Sequence, residues 1–205
     1  MRKSTTSSFF AFFVEWGLFL FFATFIILSR LFIWSPVSVS GHSMDPTLQD
    51  KERLIMIKTT SIDRFDIVVA DEIGEDGKEI QIVKRVIGMP GDTIRYENDI
   101  LYINDEETDE PYLAEYLTAF REDKLQTAYS FNPNFQTIAQ NAPAFTLDSD
   151  NNPNFTIVVP EGQYLLLGDD RLVSRDGRRT GPVERSEIAG EVKLRMWPLN
   201  RIQSF

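Results

Sequence analysis

From Phe9 to Trp34 the chain reads FFAFFVEWGLFLFFATFIILSRLFIW, an apolar run interrupted by charge only at Glu15 and Arg30. About 20 apolar residues span a bilayer as a helix. Aromatic side chains fall on every face of this stretch, which does not suit a helix half-buried on a soluble protein. The run is also too long for a cleavable signal peptide, and no small-x-small site follows it. One frame, Phe9–Leu28, encloses Glu15; another, Trp16–Trp34, encloses Arg30. A span over 12–34 lets both charges snorkel to opposite interfaces and sets Trp16 and Trp34 near the two surfaces. Arg2 and Lys3 place residues 1–11 in the cytoplasm by the positive-inside bias. The expected location is the cell membrane, crossed once, with everything after Pro36 outside.

About 170 residues remain beyond the span, enough for one domain of ordinary size with a real core. The chain has 205 residues and a formal net charge of −10. That balance argues against sequence-independent nucleic-acid binding, which needs Lys and Arg to neutralise phosphates. There is no cysteine and a single histidine. Disulfides, zinc–thiolate sites and cysteine nucleophiles are thereby excluded.

The soluble part reads mainly as strands. Leu54–Ile57, Phe65–Ala70, Ile80–Ile87, Thr93–Tyr96 and Ile100–Ile103 are short, rich in β-branched or aromatic residues and separated by turn residues. Gly74 to Gly77 predicts one hairpin tip and Asn98-Asp99 another. Residues 104–124 are acidic, with a short helix expected at Tyr112–Arg121. Residues 130–155 are crowded with Asn, Pro and Ser, as a loose insertion or a small second lobe would be. Strand character returns at Phe155–Val159, Tyr164–Leu167 and Glu191–Trp197. The expected fold is mainly β: an N-terminal transmembrane helix, then an antiparallel β core at 37–103 and 156–205, with an inserted α+β or irregular cap at 104–155.

Three segments carry unusual chemistry: SGHSMDPTL (Ser40–Leu48), IVKRVIGMPGD (Ile82–Asp92) and GDDRLVSRDGR (Gly168–Arg178). Ser43 follows Gly41, which permits close backbone approach, and precedes the Asp45-Pro46 turn. Read alone, it is a turn serine or a nucleophile. A nucleophilic serine needs a base. His42 is its immediate neighbour, and adjacent side chains of an extended segment point to opposite faces, so a Ser–His–Asp triad is disfavoured. Lys84 interrupts an apolar strand. Pointing outward it would be solvated; pointing inward it would lose charge through desolvation, and a neutral amine can accept a serine proton. Arg85 would face the other side, in a structural role. Asp169, Asp170 and Asp176 are crowded by Arg171, Arg175 and Arg178, which favours ionised carboxylates over a proton-sharing aspartic pair. The absence of cysteine and of an HExxH pattern argues against a metal site.

Taken together and in order behind an anchor, these segments resemble the boxes of type I signal peptidases, the Ser–Lys leader peptidase family. The matches are Gly-x-Ser-Met-x-Pro-Thr-Leu at Gly41–Leu48, Val-Lys-Arg-Val-Ile-Gly-x-Pro-Gly-Asp at Val83–Asp92, and Gly-Asp-Asn-Arg-x-x-Ser-x-Asp-Ser-Arg at Gly168–Arg178. In the last box Asp170 replaces the usual Asn and Gly177 the usual Ser. The resemblance implies that Ser43 is the nucleophile and its backbone N–H an oxyanion donor, that Lys84 is the general base, and that Ser174 hydrogen-bonds and orients the lysine. It implies that Asp176 and Arg178 pair to hold the site and that Met44 packs beneath it. Gly41 stands where Gram-negative members carry an oxyanion serine, which, with the single anchor, matches the Gram-positive type. The implied activity is endoproteolytic removal of signal peptides from exported preproteins after small-x-small sites, at a lipid bilayer and beside a secretion translocon, without metal or organic cofactor. Met44, Leu48, Ile82 and Val83 are the expected walls of the substrate pockets. A catalytically silent surface assembly or chaperone factor is the alternative function.

Overall fold

The computed structural model describes residues 6–74 and 77–205, with side chains from residue 16 onward outside that gap. The expected cytoplasmic segment with Arg2 and Lys3, and the span's Glu15, fall outside the described side chains, as does part of the Gly74–Gly77 hairpin tip. A helix α1 runs from Thr6–Phe32. Among the described residues, no helix is long and apolar enough to cross a membrane. The strands that follow are β1 (Trp34–Ser38), β2 (Arg53–Ile57), β3 (Ile67–Ile73), β4 (Glu79–Gly88), β5 (Thr93–Glu97), β6 (Ile100–Ile103) and β7 (Glu106–Thr108). After the helices α2 (Ala114–Asp123) and α3 (Pro133–Asn141) come β8 (Asn154–Val158), β9 (Gln163–Leu167), a short α4 (Gly177–Thr180), β10 (Val183–Glu184), β11 (Ile188–Trp197) and β12 (Gln203–Ser204).

All strand pairs are antiparallel. The main sheet has the order β1-β2-β11-β3-β4-β9-β10, with β12 beside β11, and the smaller sheet the order β7-β6-β5-β8. The expected antiparallel β architecture is therefore present. β3 opens with four buried residues, Ile67 to Ala70, as a strand covered on both faces should. β4 divides in two. Its second half, from Lys84 onward, is buried, whereas Glu79 to Gln81 are exposed. Pairing follows the same division: β3 covers one edge of β4 from Glu79 to Arg85, but β9 meets the other edge only from Arg85 to Gly88.

Two hairpins of the small sheet turn on paired residues with positive φ, Asn98-Asp99 (48° and 71°) and Asn104-Asp105 (52° and 67°). Asn and Asp tolerate this left-handed backbone, and it matches the twist of the flanking strands. The second turn leads into β7, whose acidic and partly exposed residues give no strand signal.

The insertion is a packed lobe. Tyr116, Phe120, Leu125, Tyr129 and Phe145 form its core, together with Leu172 from the third segment. α2 lies close to the expected helix, preceded by a 3-10 turn at Pro111–Leu113. α3 was not expected. Asn132 caps it, accepting from Asn134 N–H at 3.0 Å, with Pro133 at its first turn. The Asn-Pro pair read as loop punctuation is a helix start.

Candidate active site

Ser43 lies in the loop from β1 to β2. Met44 and Leu48 from this loop are 1% and 0% exposed and fill the core with Leu54, Met56 and Val192. Their burial fixes the backbone that follows the serine. Gly41 serves by its φ of 89°, for no atom lies within 4 Å of where its Cβ would stand. That corrects the expectation of close backbone approach there.

Lys84 points inward. It is 3% exposed, and its Nζ donates to Ser43 Oγ at 2.8 Å. Burial pushes its pKa below the ordinary lysine value; the negative charges of Asp176 and Glu72 only partly oppose this. His42 turns away from the serine. Its Nδ1 lies 2.9 Å from Asp45 Oδ2, and its ring stands 4.6 Å from that of Phe131 in the lobe. The arrangement can do one thing directly: pass a proton from a hydroxyl to an amine whose charged form is disfavoured by desolvation.

The third segment braces both groups. Asp170 N–H donates to the Ser43 carbonyl at 3.1 Å, and Gly168 N–H to Asp176 Oδ2 at 2.9 Å. Asp176 receives Arg178 through Nε and Nη2, both at 2.8 Å, while Arg178 Nη1 reaches the Leu147 carbonyl at 2.9 Å. Burial alone would raise the Asp176 carboxyl. The Arg178 charge and hydrogen bonds, the Gly168 N–H and the Lys84 charge outweigh it and hold the pKa at about 2. A side chain at Gly168 is impossible without movement, since its Cβ would lie 2.2 Å from Ser174 Oγ and 2.4 Å from the Ser43 carbonyl. Ser174 is buried beside this glycine, but its Oγ has no hydrogen-bond partner among the described residues. The expected hydrogen bond to Lys84 is thus not made in this structure. Gly177 packs 2.7 Å, from its would-be Cβ, against Leu165 Cδ1, which leaves no room for the usual serine.

A second buried pair links all three segments. Arg85 donates to Asp169 through Nε at 2.9 Å and Nη2 at 2.6 Å, and Thr47 Oγ1 donates to the same carboxylate at 2.6 Å. Arg171 binds Glu110 and, through Nη1, Tyr96 Oη at 2.7 Å, so the start of the insertion is tied to the same loop. Two residues of this region escaped the sequence reading, Asp45 and Tyr129. Tyr129 sits 41 positions from its partner Asp170 in an insertion without pattern, and only the fold brings them together.

A groove of about 520 Å³ ends at the serine. Val37, Val39, Met44, Ile82, Val83 and Lys84 line it. Of the four residues named as pocket walls, Met44, Ile82 and Val83 line this groove, whereas Leu48 is wholly buried in the core.

Comparison with known proteins agrees with this geometry. The family model described as signal peptidase, peptidase S26, matches residues 13–197. A signal peptidase I of Streptococcus pneumoniae is 60% identical over 97% of this chain and 100% of its own length. A signal peptidase IB of Staphylococcus aureus is 36% identical over 84% of this chain and 82% of its own. A solved signal peptidase I from Enterococcus faecalis V583 is 28% identical, with a TM-score of 0.45 over 64% of this chain and 97% of that one. On the extent of the family-model match and of the Streptococcus pneumoniae match, the chain belongs to the signal peptidase family, peptidase S26.

Proposed function

We propose that the protein is a membrane-anchored signal peptidase I, a serine endopeptidase in which Ser43 is the nucleophile and Lys84 the general base. The observation that carries this reading is the 2.8 Å contact between Ser43 Oγ and the buried Lys84 Nζ. Neutral Lys84 takes the Ser43 proton as Oγ attacks the scissile carbonyl. The ammonium then returns a proton to the leaving amine, and the acyl-enzyme forms. Lys84 next accepts a proton from water as the water oxygen attacks the acyl carbonyl, and returns that proton to Ser43 Oγ as the serine leaves and the signal peptide is released. The Ser43 N–H serves as one oxyanion donor. Asp176 and Arg178 hold the third segment in place, and Ser174 orients the lysine once substrate closes the site.

The substrate's extended segment adds to the edge of β4 away from β3, between Glu79 and Val83, where no strand among the described residues pairs. Ile82, Val83 and Met44 then border shallow pockets for small side chains and exclude large ones by overlap. Core segments at 37–103 and 156–205 carry the chemistry, and 104–155 caps it. α1 supports an anchor: Leu18, Phe21, Phe25 and Phe32 are all more than half exposed along it and need lipid to cover them. With residues 1–11 in the cytoplasm, the catalytic domain stands outside, where a preprotein emerges from the translocon.

Cleavage of a signal-peptide-bearing preprotein in lipid vesicles, wild type against Ser43→Ala, tests the assignment. Cleavage after a small-x-small site should vanish in the variant. Unchanged cleavage would point to another nucleophile, and inactivity of both proteins would favour a silent assembly factor.

A further inference from the structure

Behind the nucleophile loop lies an acidic pair that the Ser–Lys chemistry leaves unused. Asp45 is 6% exposed and Asp170 wholly buried. Each has one oxygen in a side-chain hydrogen bond. His42 Nδ1 meets Asp45 Oδ2 at 2.9 Å, and Tyr129 Oη donates to Asp170 Oδ1 at 2.5 Å. Each also has one buried oxygen with no partner, Asp45 Oδ1 and Asp170 Oδ2. The titratable groups facing the pair are His42, Asp50 and Glu52 from the β1–β2 loop, Tyr116 from α2, and Tyr129 from the turn beyond it.

An ionised carboxylate only accepts hydrogen bonds, so two of them cannot satisfy each other. Buried polar atoms without partners are rare because each costs the full desolvation of the group. A proton on Asp170 removes a charge and turns one acceptor into a donor. Asp45 has His42 to support its charge, whereas Asp170 faces the Tyr116 and Tyr129 phenols and the backbone N–H groups of Leu172 and Val173. Burial, and after it the Asp45 charge, raise the Asp170 carboxyl to about 7 against the lowering effect of the Tyr129 hydrogen bond and of those two N–H groups.

We infer that Asp170 is a positioning residue that works as a protonated carboxyl, clamping the Ser43 loop between the third segment and the inserted lobe. Its side chain takes the Tyr129 hydroxyl from the lobe, and a proton on its other, unpartnered oxygen removes one of the two buried negative charges. Its backbone N–H holds the Ser43 carbonyl. Loss of the proton places two negative, unpartnered oxygens beneath the serine, and the loop shifts Ser43 Oγ away from Lys84. This inference rests on Ser43 being the nucleophile.

The experiment measures kcat and KM for preprotein cleavage by the full chain in detergent micelles, from about pH 6 to about pH 10. Asp170→Asn supplies an N–H donor at every pH, and Asp170→Ala supplies none. The Asn variant should keep kcat within about threefold of wild type near neutrality and lose the wild type's decline at high pH; the Ala variant should lose about tenfold or more in kcat with KM little changed. Infrared spectra near neutral pH should show a protonated carboxyl band that the Asn variant lacks. An Asn variant as impaired as the Ala one, or pH profiles of wild type and Asn that coincide, would overturn the inference. Should the Ala variant fail to fold, the Asn profile still decides. If wild type does not cleave at all, the functional reading fails, and the infrared band still reports on Asp170 independently.

Discussion

Lys84 shows how one side chain can be costly for the fold and, in the proposed mechanism, serve the chemistry. Its folded-state pKa is depressed, so the folded protein binds fewer protons than the unfolded chain. The resulting penalty is complete below the folded value and fades as pH rises toward the ordinary lysine value of 10.5. Lys84→Met should therefore be inactive yet more stable by about 1 kcal/mol at neutral pH, with the gain shrinking in alkali. Denaturant titrations of both proteins at several pH values check this. Lys84→Arg, whose guanidinium stays protonated, should lower kcat by about 10²–10⁴-fold. Substantial turnover by that variant would remove Lys84 as the base. Gly168 is the counterpart on the other side of the serine. There the absence of a side chain lets Ser174 and the Ser43 carbonyl approach together.

At the level of elements, the sequence was most informative where periodicity and turn chemistry agree. β2 to β6, β8, β9 and β11 follow from β-branched runs bounded by Gly, Asn or Asp, and the Ser43 and Lys84 segments stood out because polar groups interrupt apolar ones. β7 and α3 were not legible, since one is acidic and short and the other begins in a Pro-rich stretch. Ser174 was legible as a residue but not in its contacts. The burial of Leu48 was not legible because a turn, unlike a strand, has no period from which to read direction. The lobe's attachment was also hidden. Asp99, at a hairpin turn of the small sheet, accepts from the backbone N–H of Phe145 at 3.2 Å and Thr146 at 2.6 Å. Asp99→Ala leaves two N–H groups unpaired and should cost about 1–3 kcal/mol. Hydrogen exchange should locate that loss in residues 142–148, with the dyad's sheet unaffected.

For the molecule as a whole, α1 touches the domain sparingly. Lys58 Nζ donates to the Leu31 carbonyl at 3.0 Å, and Lys58 N–H to that of Ile33 at 2.8 Å. Removing residues 1–33 should leave cleavage of a short soluble peptide within about twofold of the full chain, but reduce processing of a vesicle-bound preprotein by about 10²–10⁴-fold, the factor that shared confinement supplies. Parallel assays on the two substrates separate these effects. The order of the main sheet has a consequence for time. Ser43 follows β1 and Lys84 lies on β4, yet between β2 and β3 stands β11, which comes after both in the chain. A growing chain that contains both residues but not β11 lacks the strand that joins β2 to β3. The two residues are therefore seated side by side only once a much later strand has slotted into the middle of the sheet.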